Sequence, residues 1–187
     1  MKKIFTTFAL VAGLFSTNNI SAQINEGTNP MENKKILVAY YSYSGNTKEV
    51  AEAIHQKVGG DIFEIKAEGS YPDEYRPMTE QAKKEIQNGF RPKLTTTVAN
   101  IEQYDVIFLG SPIWWGTITP QVSSFIESYD LSGKTIIPFV THGGGGKSRS
   151  FTDIASQCKD CNVEQNGWSG YGSMTIGLDR WLEKIKE

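Results

Sequence analysis

Short apolar runs alternate along the chain with segments in which apolar residues recur at helical spacing. The runs at residues 35–41 and 104–110 are almost continuously apolar, which is typical of strands covered on both faces. Further strands are predicted at residues 61–66, 134–140 and, more weakly, 162–166, and helices at residues 46–58, 79–87, 120–129, 148–158 and 176–186. Because parallel neighbours need long crossovers, this alternation predicts an α/β fold with a doubly wound sheet.

The first 33 residues have a different pattern. Lys2 and Lys3 precede an apolar stretch at residues 4–15, and a polar tail ends at Ala22. This layout of a basic start, an apolar centre and a polar tail predicts a signal peptide over residues 1–22. The alternative, a membrane anchor, is disfavoured because the apolar stretch is shorter than the roughly 20 residues that a membrane span needs. A flexible lead-in is expected over residues 23–33 and a single domain over 34–187. We therefore expect an exported protein, located in the periplasm, with no stable membrane span in the mature chain.

The composition and net charge of the chain argue against nucleic-acid binding. The chain has 187 residues, 39% hydrophobic and 21% charged, and a formal net charge of −2. Removal of residues 1–22 takes away Lys2, Lys3 and no acid, so the net charge becomes −4. A mildly acidic chain without a basic block lacks the electrostatic footprint of a nucleic-acid-binding protein. No nucleic-acid partner is expected.

The two cysteines are too few for a disulfide-rich scaffold. Cys158 and Cys161 form a C-x-x-C pair at the end of a predicted helix. A structural bridge or free thiols are favoured over catalysis, because a reactive thiolate needs a helix N-terminus.

The first of three unusual loops follows the first strand. Residues 42–47, the hydroxyl loop, carry Ser42, Ser44, Asn46 and Thr47 and lead directly into a helix. The unpaired N–H groups of a helix start attract anions, and these side chains add donors, so the loop favours a phosphate. The alternative is an ordinary helix cap made by Asn46 or Ser44. The loop lacks the three glycines of a dinucleotide fingerprint and is not a Walker loop.

The other two loops follow the third and fourth strands. Residues 111–120, the tryptophan loop, contain Trp114 and Trp115, which either face a planar aromatic ligand or pack on the sheet and a helix. Residues 141–146, the glycine loop, expose backbone groups that suit a polar ring edge, or form a flexible surface tip. His142, by itself, is more often structural than catalytic.

Residues 41–47, 110–116 with their Pro-x-Trp-Trp-Gly pattern, and 133–144 resemble the flavodoxin-like family in sequence and order. The resemblance implies a three-layer α/β sandwich with a five-stranded parallel sheet in the order 2-1-3-4-5. It also implies one non-covalent FMN where the strand order reverses between strands 1 and 3. The residues implied to bind FMN are Ser42, Tyr43, Ser44, Gly45, Asn46 and Thr47 for the phosphate, Pro112, Ile113, Trp114, Trp115 and Gly116 along the ring, and Thr141, His142, Gly143 and Gly144 at its polar edge or ribityl chain.

Two segments depart from the family pattern: residues 144–147 are unusually glycine-rich, and residues 167–172 look peculiar to this chain. The redox partner, a small molecule or a protein, is therefore not carried over. Since the flavin supplies the chemistry, no catalytic side chain is demanded. The leading hypothesis is an exported FMN oxidoreductase with a small, quinone-like acceptor. The alternatives are an electron carrier that docks on proteins and a binding module that has lost FMN.

Overall fold

A computed structural model describes Met31 and residues 33–186. The elements follow in the order β1 (Ile36–Tyr40), α1 (Asn46–Val58), β2 (Asp61–Glu64), α2 (Tyr75–Gln87), β3 (Val106–Pro112), α3 (Pro120–Ser128), β4 (Thr135–His142), α4 (Ser150–Gln157), β5 (Asn162–Val163), β6 (Trp168–Tyr171) and α5 (Leu178–Ile185). The expected signal peptide and most of the expected lead-in lie outside the described residues. Met31, placed in that lead-in, is buried and belongs to the core cluster that includes residues of α1 and α5. Within the described part, no helix is long and apolar enough to cross a bilayer.

The strands form a parallel sheet in the order β2-β1-β3-β4-β5, which confirms the expected order. The fifth position is divided between two short strands. β5 pairs with Thr135 and Ile136 of β4, and β6 pairs with its Phe139–His142 segment. The strand order reverses between β1 and β3, and ligand crevices in open α/β sheets form at the carboxyl ends of the strands at such a point.

Helices cover both faces of the sheet. Val38 and Phe108 pack beneath α1 and α5, whereas Leu37 and Ile107 pack beneath α3 and α4. Because neighbouring residues of a strand point to opposite faces, burial on both faces explains the continuous apolar runs.

The prediction of five strands was wrong by one, and the predicted strand at 162–166 is short and ends at Val163. β6 was missed because its sequence, Trp-Ser-Gly-Tyr, has little apolar pattern of its own. Its pairing lengthens β4 to His142, so Thr141 and His142 belong to a strand and not to a loop. β3 likewise continues to Pro112, where the missing proline N–H costs little because β1 pairs only as far as Gly110.

Several other boundaries also differ from expectation, of which four have a clear local cause. α2 begins at Tyr75 and not at residue 79, because Pro77 lies in the first turn, where its missing N–H is not needed. α5 begins at Leu178, after Gly177 in a left-handed conformation. α4 begins at Ser150, after Ser148 at a positive φ of 47°. β2 ends at Glu64, because the following chain bonds to the segment around residues 95 and 96.

Candidate functional site

One cleft of about 930 Å³ opens at the carboxyl ends of the strands. The hydroxyl loop and the tryptophan loop border it, together with the first half of α2, the end of β4 and residues 171–174, which we call the far wall. A larger cavity of about 1050 Å³ lies at the amino ends of the strands, near Lys34 and Thr135, and its described lining includes none of the fifteen residues implied to bind FMN.

The hydroxyl loop presents an open helix start to this cleft. Gly45 precedes α1 with a left-handed φ of 91°, and no side chain among residues 33–186 caps the helix. The Asn46 amide instead donates to Ser44 Oγ at 3.1 Å, so neither residue acts as the cap that the sequence left open. The first N–H groups of α1 therefore remain available, and they favour an anion.

Two hydroxyl groups lie deeper in the same loop. Ser42 Oγ is buried and has no hydrogen-bond partner among the described residues. Thr47 is buried, and its Oγ1 lies 2.8 Å from Oγ1 of Thr141, which joins the loop to β4. A buried hydroxyl without a partner is costly, so Ser42 marks a place where an added polar group would be stabilised.

Trp114 is enclosed by three tyrosines. Its ring centroid lies 6.0 Å from that of Tyr41, 5.8 Å from that of Tyr43 and 4.9 Å from that of Tyr71, each with near-perpendicular rings. Edge-to-face contacts of this kind are favourable beyond simple burial. The Tyr43 hydroxyl donates to the Pro72 carbonyl at 2.9 Å, which fixes this ring at the cleft entrance.

Tyr71 is held from behind by a polar network. Its hydroxyl donates to Glu85, whose other oxygen accepts from Gln81 at 2.8 Å, and Gln121 donates to the Tyr71 hydroxyl at 3.1 Å. Burial and the hydrogen bond to Glu85 raise the pKa of Tyr71 well above its ordinary value. The phenol therefore stays neutral as a donor, and the network fixes the ring against Trp114.

Trp115 points in another direction, over α2. Its Nε1 donates to the Thr79 carbonyl at 2.8 Å, and Lys83 Nζ lies 4.7 Å from the ring centroid. The residue is half exposed and has a φ of 51°, a conformation rarely adopted by a bulky side chain. Strain of this kind persists only where surrounding contacts determine it, here the contacts with α2.

His142 ends β4 beside the far wall. The Gly144 N–H donates to His142 Nδ1 at 3.0 Å, so the neutral ring carries its proton on Nε2. Its ring makes an edge-to-face contact with Tyr171, with centroids 6.3 Å apart.

The structure brings the three loops together at one site. Ten of the residues singled out from the sequence line the cleft: Tyr43, Ser44, Asn46, Pro112, Ile113, Trp114, Trp115, Thr141, His142 and Gly143. The other five, Ser42, Gly45, Thr47, Gly116 and Gly144, are not in its lining. Gly116 instead accepts a hydrogen bond from the Arg149 N–H, which ties the tryptophan loop to the start of α4.

Sequence reasoning missed two sides of the cleft. One is α2, which contributes Tyr75, Met78, Thr79 and Ala82, and the other is the far wall. Met78 and Ala82 stand at helical spacing, but the predicted helix began after Met78. The segment at residues 167–172 looked unusual in the sequence, yet its pairing with β4 had no local signal.

Comparison with known proteins agrees with this geometry. A sequence profile of the family described as Flavodoxin matches residues 35–185. An NAD(P)H dehydrogenase (quinone) of Paraburkholderia phymatum is 30% identical over 137 residues, which are 65% of this chain and 65% of that protein. The chain thus spans less than two thirds of the length of this curated relative.

Two solved structures are similar over most of the domain. A candidate flavoprotein of Bacteroides eggerthii is 33% identical, with a TM-score of 0.72 over 82% of this chain and 98% of that chain. A Lactobacillus acidophilus flavoprotein crystallised with FMN is 24% identical, with a TM-score of 0.65 over 80% of this chain and 99% of that chain, and shows the same fold. With the profile match across nearly the whole domain, these findings show that the chain belongs to the flavodoxin family.

Proposed function

We propose that this protein is an exported, FMN-dependent oxidoreductase that passes electrons to a small, quinone-like acceptor. One observation carries the proposal: a single cleft joins an uncapped helix start to a wall of aromatic side chains. The first feature suits a phosphate group and the second suits a planar ring system.

The residues at the hydroxyl loop fit the phosphate of FMN. Ser42 Oγ, which has no hydrogen-bond partner within the described part of the chain, and the open N–H groups at the start of α1 supply donors for a dianion. A Cβ placed on Gly45 would meet nothing within 4 Å, so the loop leaves open space there. No Asp or Glu is among the described residues that line the cleft, and none would repel the phosphate.

The rest of the cleft fits a flavin ring. Trp114 and Tyr43 form a fixed aromatic surface, and His142 Nε2–H can donate to a polar edge. When bound, FMN supplies a centre that accepts a hydride or single electrons. The chain's own contribution is to orient the ring, to exclude water with apolar side chains and to place one donor beside it.

The uncharged lining favours a small acceptor over a protein partner. A carrier that docks on proteins would be favoured by an acidic face around the ring, whereas the described lining carries no carboxylate. The relative from Paraburkholderia phymatum is called an NAD(P)H dehydrogenase (quinone), which supports electron transfer to a small ring compound.

Export is supported by two features. The signal-peptide layout of residues 1–22 is one. The other is the disulfide that joins Cys158 and Cys161, since disulfides persist mainly in oxidising compartments. Cys158 ends α4 at its C-terminus, which fits a structural bridge and not a thiolate catalyst.

The first test is titration of cofactor-free protein with FMN, followed by quenching of flavin fluorescence. We expect saturable binding in a 1:1 ratio, and free flavin at all protein concentrations would overturn the proposal. The second test mixes reduced, FMN-loaded protein with quinones without oxygen. We expect the quinones to reoxidise the flavin faster than dissolved oxygen does. If no quinone reacts faster than oxygen, only the carrier hypothesis remains.

The export proposal has its own test. Expression of the full chain in a Gram-negative host should deliver a protein that begins at Gln23 to the periplasmic fraction. An uncleaved chain retained in the cytoplasm would contradict export without affecting the FMN proposal.

A further inference from the structure

We infer that the cleft selects uncharged planar redox molecules and discriminates against nicotinamide dinucleotides, both as electron acceptors and as electron donors. This inference rests on the proposed function, because it concerns the partner that meets the flavin. It separates this chain from its curated relatives, which are described as NAD(P)H dehydrogenases. The physiological donor would then be an uncharged reduced ring, such as a quinol.

The lining of the cleft is the first observation. Among the described residues that border it, none is Asp, Glu, Lys or Arg. The side chains at its edges are Tyr75, Trp115, Tyr171 and Met174, each at least half exposed, with exposures of 76%, 51%, 55% and 54%. Exposed apolar side chains that converge on one opening mark a site for an apolar ligand.

Cations near the tryptophan and glycine loops are already engaged. Lys83 Nζ lies over the Trp115 ring, and Arg149 Nε is paired with Asp153 at 2.9 Å. Lys147 Nζ lies 5.0 Å from the centroid of the Phe151 ring. A dinucleotide pyrophosphate carries two negative charges and is normally held by Arg, Lys or a helix N-terminus.

The helix starts do not replace those cations. The start of α1 belongs to the hydroxyl loop, where the FMN phosphate is proposed to bind. The start of α2 reaches the cleft through Tyr75, but the exposed Asp73 and Glu74 precede it and Pro77 lacks an N–H. The exposed Arg76 in the first turn offsets one of these two carboxylates, so this helix end carries no net positive side-chain charge to hold a second phosphate group.

The cleft volume leaves room for a second ring. At about 930 Å³ it lies near the upper end of the range of ligand pockets, about 300–1,000 Å³. Tyr171 and Met174 of the far wall line this opening together with residues of α2. They offer apolar surface to a ring that lies beside the flavin, and no partner for a phosphate.

The binding test uses FMN-loaded, oxidised protein. Its tryptophan fluorescence is titrated with 2-methyl-1,4-naphthoquinone and, separately, with NADP⁺, and Trp115→Phe identifies the part of the signal from the cleft. We expect saturable quenching by the naphthoquinone at micromolar concentrations and none by NADP⁺ up to millimolar concentrations. Equal or tighter binding of NADP⁺ would overturn the inference.

The rate test compares NADPH with 1-benzyl-1,4-dihydronicotinamide, which has the same hydride-donating ring but no phosphate. Each donor transfers two electrons and a proton as a hydride to oxidised FMN and leaves as the pyridinium ion. Free FMN supplies the intrinsic reactivity ratio of the two donors. Relative to that ratio, the protein should favour the neutral donor at least about tenfold, the scale of one lost charged contact. An unchanged or reversed ratio would contradict the inference.

Variants locate the selectivity on the far wall. Tyr171→Ser should weaken naphthoquinone binding about tenfold, because one aromatic contact is lost. Phe90→Ser removes an aromatic side chain of similar exposure, 47%, away from the cleft and should leave that affinity unchanged. Equal losses in both variants would overturn the role of Tyr171. FMN affinity is measured for every protein, so loss of FMN itself signals failure of the proposed function and not of the selectivity.

Discussion

The hydroxyl loop and the far wall border the same cleft, but they are built in different ways. The hydroxyl loop is six consecutive residues whose shape depends on the left-handed Gly45 and on the start of α1. The far wall is held in place by the pairing of β6 with Phe139–His142 of β4, a segment about thirty residues earlier in the chain. Backbone conformation thus determines the shape of the hydroxyl loop, and strand pairing between distant segments determines the position of the far wall.

The two regions also differ in chemistry. The hydroxyl loop offers N–H groups and hydroxyls, including Ser42 Oγ, which no described residue hydrogen-bonds. The far wall offers Tyr171 and Met174, both more than half exposed. The first is suited to hold the charged end of a cofactor, and the second to admit an apolar molecule. Changes in one region should therefore leave the other largely intact.

The largest expected effect is on the hydroxyl loop. Gly45→Val places a β-branched residue at a φ of 91°, a conformation that glycine adopts without strain and a β-branched residue does not. Strain of about 1–3 kcal/mol should move the loop and weaken FMN binding roughly ten- to hundredfold. FMN titration of the purified variant measures the loss.

Gly45→Asn is the matched control, since asparagine tolerates the left-handed region far better than valine. It adds a side chain into open space and should retain most of the FMN affinity. If valine and asparagine weaken binding equally, bulk and not backbone conformation governs the loop.

On the opposite side, Gly170→Ala should destabilise the far wall. A Cβ at this position would overlap the buried indole of Trp168. Overpacking of this kind costs about 1–3 kcal/mol, measured as a fall in the free energy of unfolding in urea. FMN affinity should change much less than in Gly45→Val.

Gly143→Ala is the corresponding stability control, because a Cβ on Gly143 has open space and ordinary backbone geometry. It should leave the free energy of unfolding almost unchanged. An equal loss of stability in both variants would mean that β6 is not held by the close packing of Gly170 against Trp168.

This contrast explains what could be predicted from the sequence. The hydroxyl loop was predictable because its donors are adjacent in the chain and open a helix, and α1 has the predicted bounds, Asn46–Val58. The doubly wound sheet followed from the buried runs and their alternation with helices, whereas the strand order was implied by the family resemblance. β6 was not predictable, since Gly170 and Ser169 give no strand pattern and pair only because β4 offers a free edge.

The three tyrosines around Trp114 likewise could not be predicted from local sequence. Tyr71 lies 43 residues before Trp114 in a long connection, and only the fold brings their rings within 4.9 Å. The sequence left open whether the tryptophans pack on protein or face a ligand. In the structure each tryptophan does both: Trp114 and Trp115 line the cleft, and each also contacts neighbouring side chains.

Tyr71→Phe tests the support behind this aromatic surface. The change removes the hydroxyl that donates to Glu85 and accepts from Gln121. Leaving these partly buried partners unpaired should lower the free energy of unfolding by about 1–2 kcal/mol. Trp114 near-ultraviolet circular dichroism should also weaken as the ring loses its fixed neighbour. Full stability with an unchanged spectrum would show that the network does not position Trp114.

The smallest expected effect is a pH dependence on the β1 side of the cleft. Burial, with the nearby carboxylates of Glu64 and Glu52, raises the pKa of Tyr40 from 10.0 to about 12. The folded state therefore holds this proton more tightly than the unfolded chain does. The resulting stabilisation is complete below pH 10 and is lost as the pH rises towards about 12. Urea unfolding at several pH values should show this decline, and Tyr40→Phe should make it shallower by about 1 kcal/mol over that interval.

Because Tyr40 immediately precedes Tyr41 and the hydroxyl loop, FMN affinity should fall over the same interval, whereas the effect of Gly170→Ala should stay constant with pH. A decline of equal steepness in wild type and Tyr40→Phe would assign the alkaline transition to other groups and remove this link between β1 and the loop.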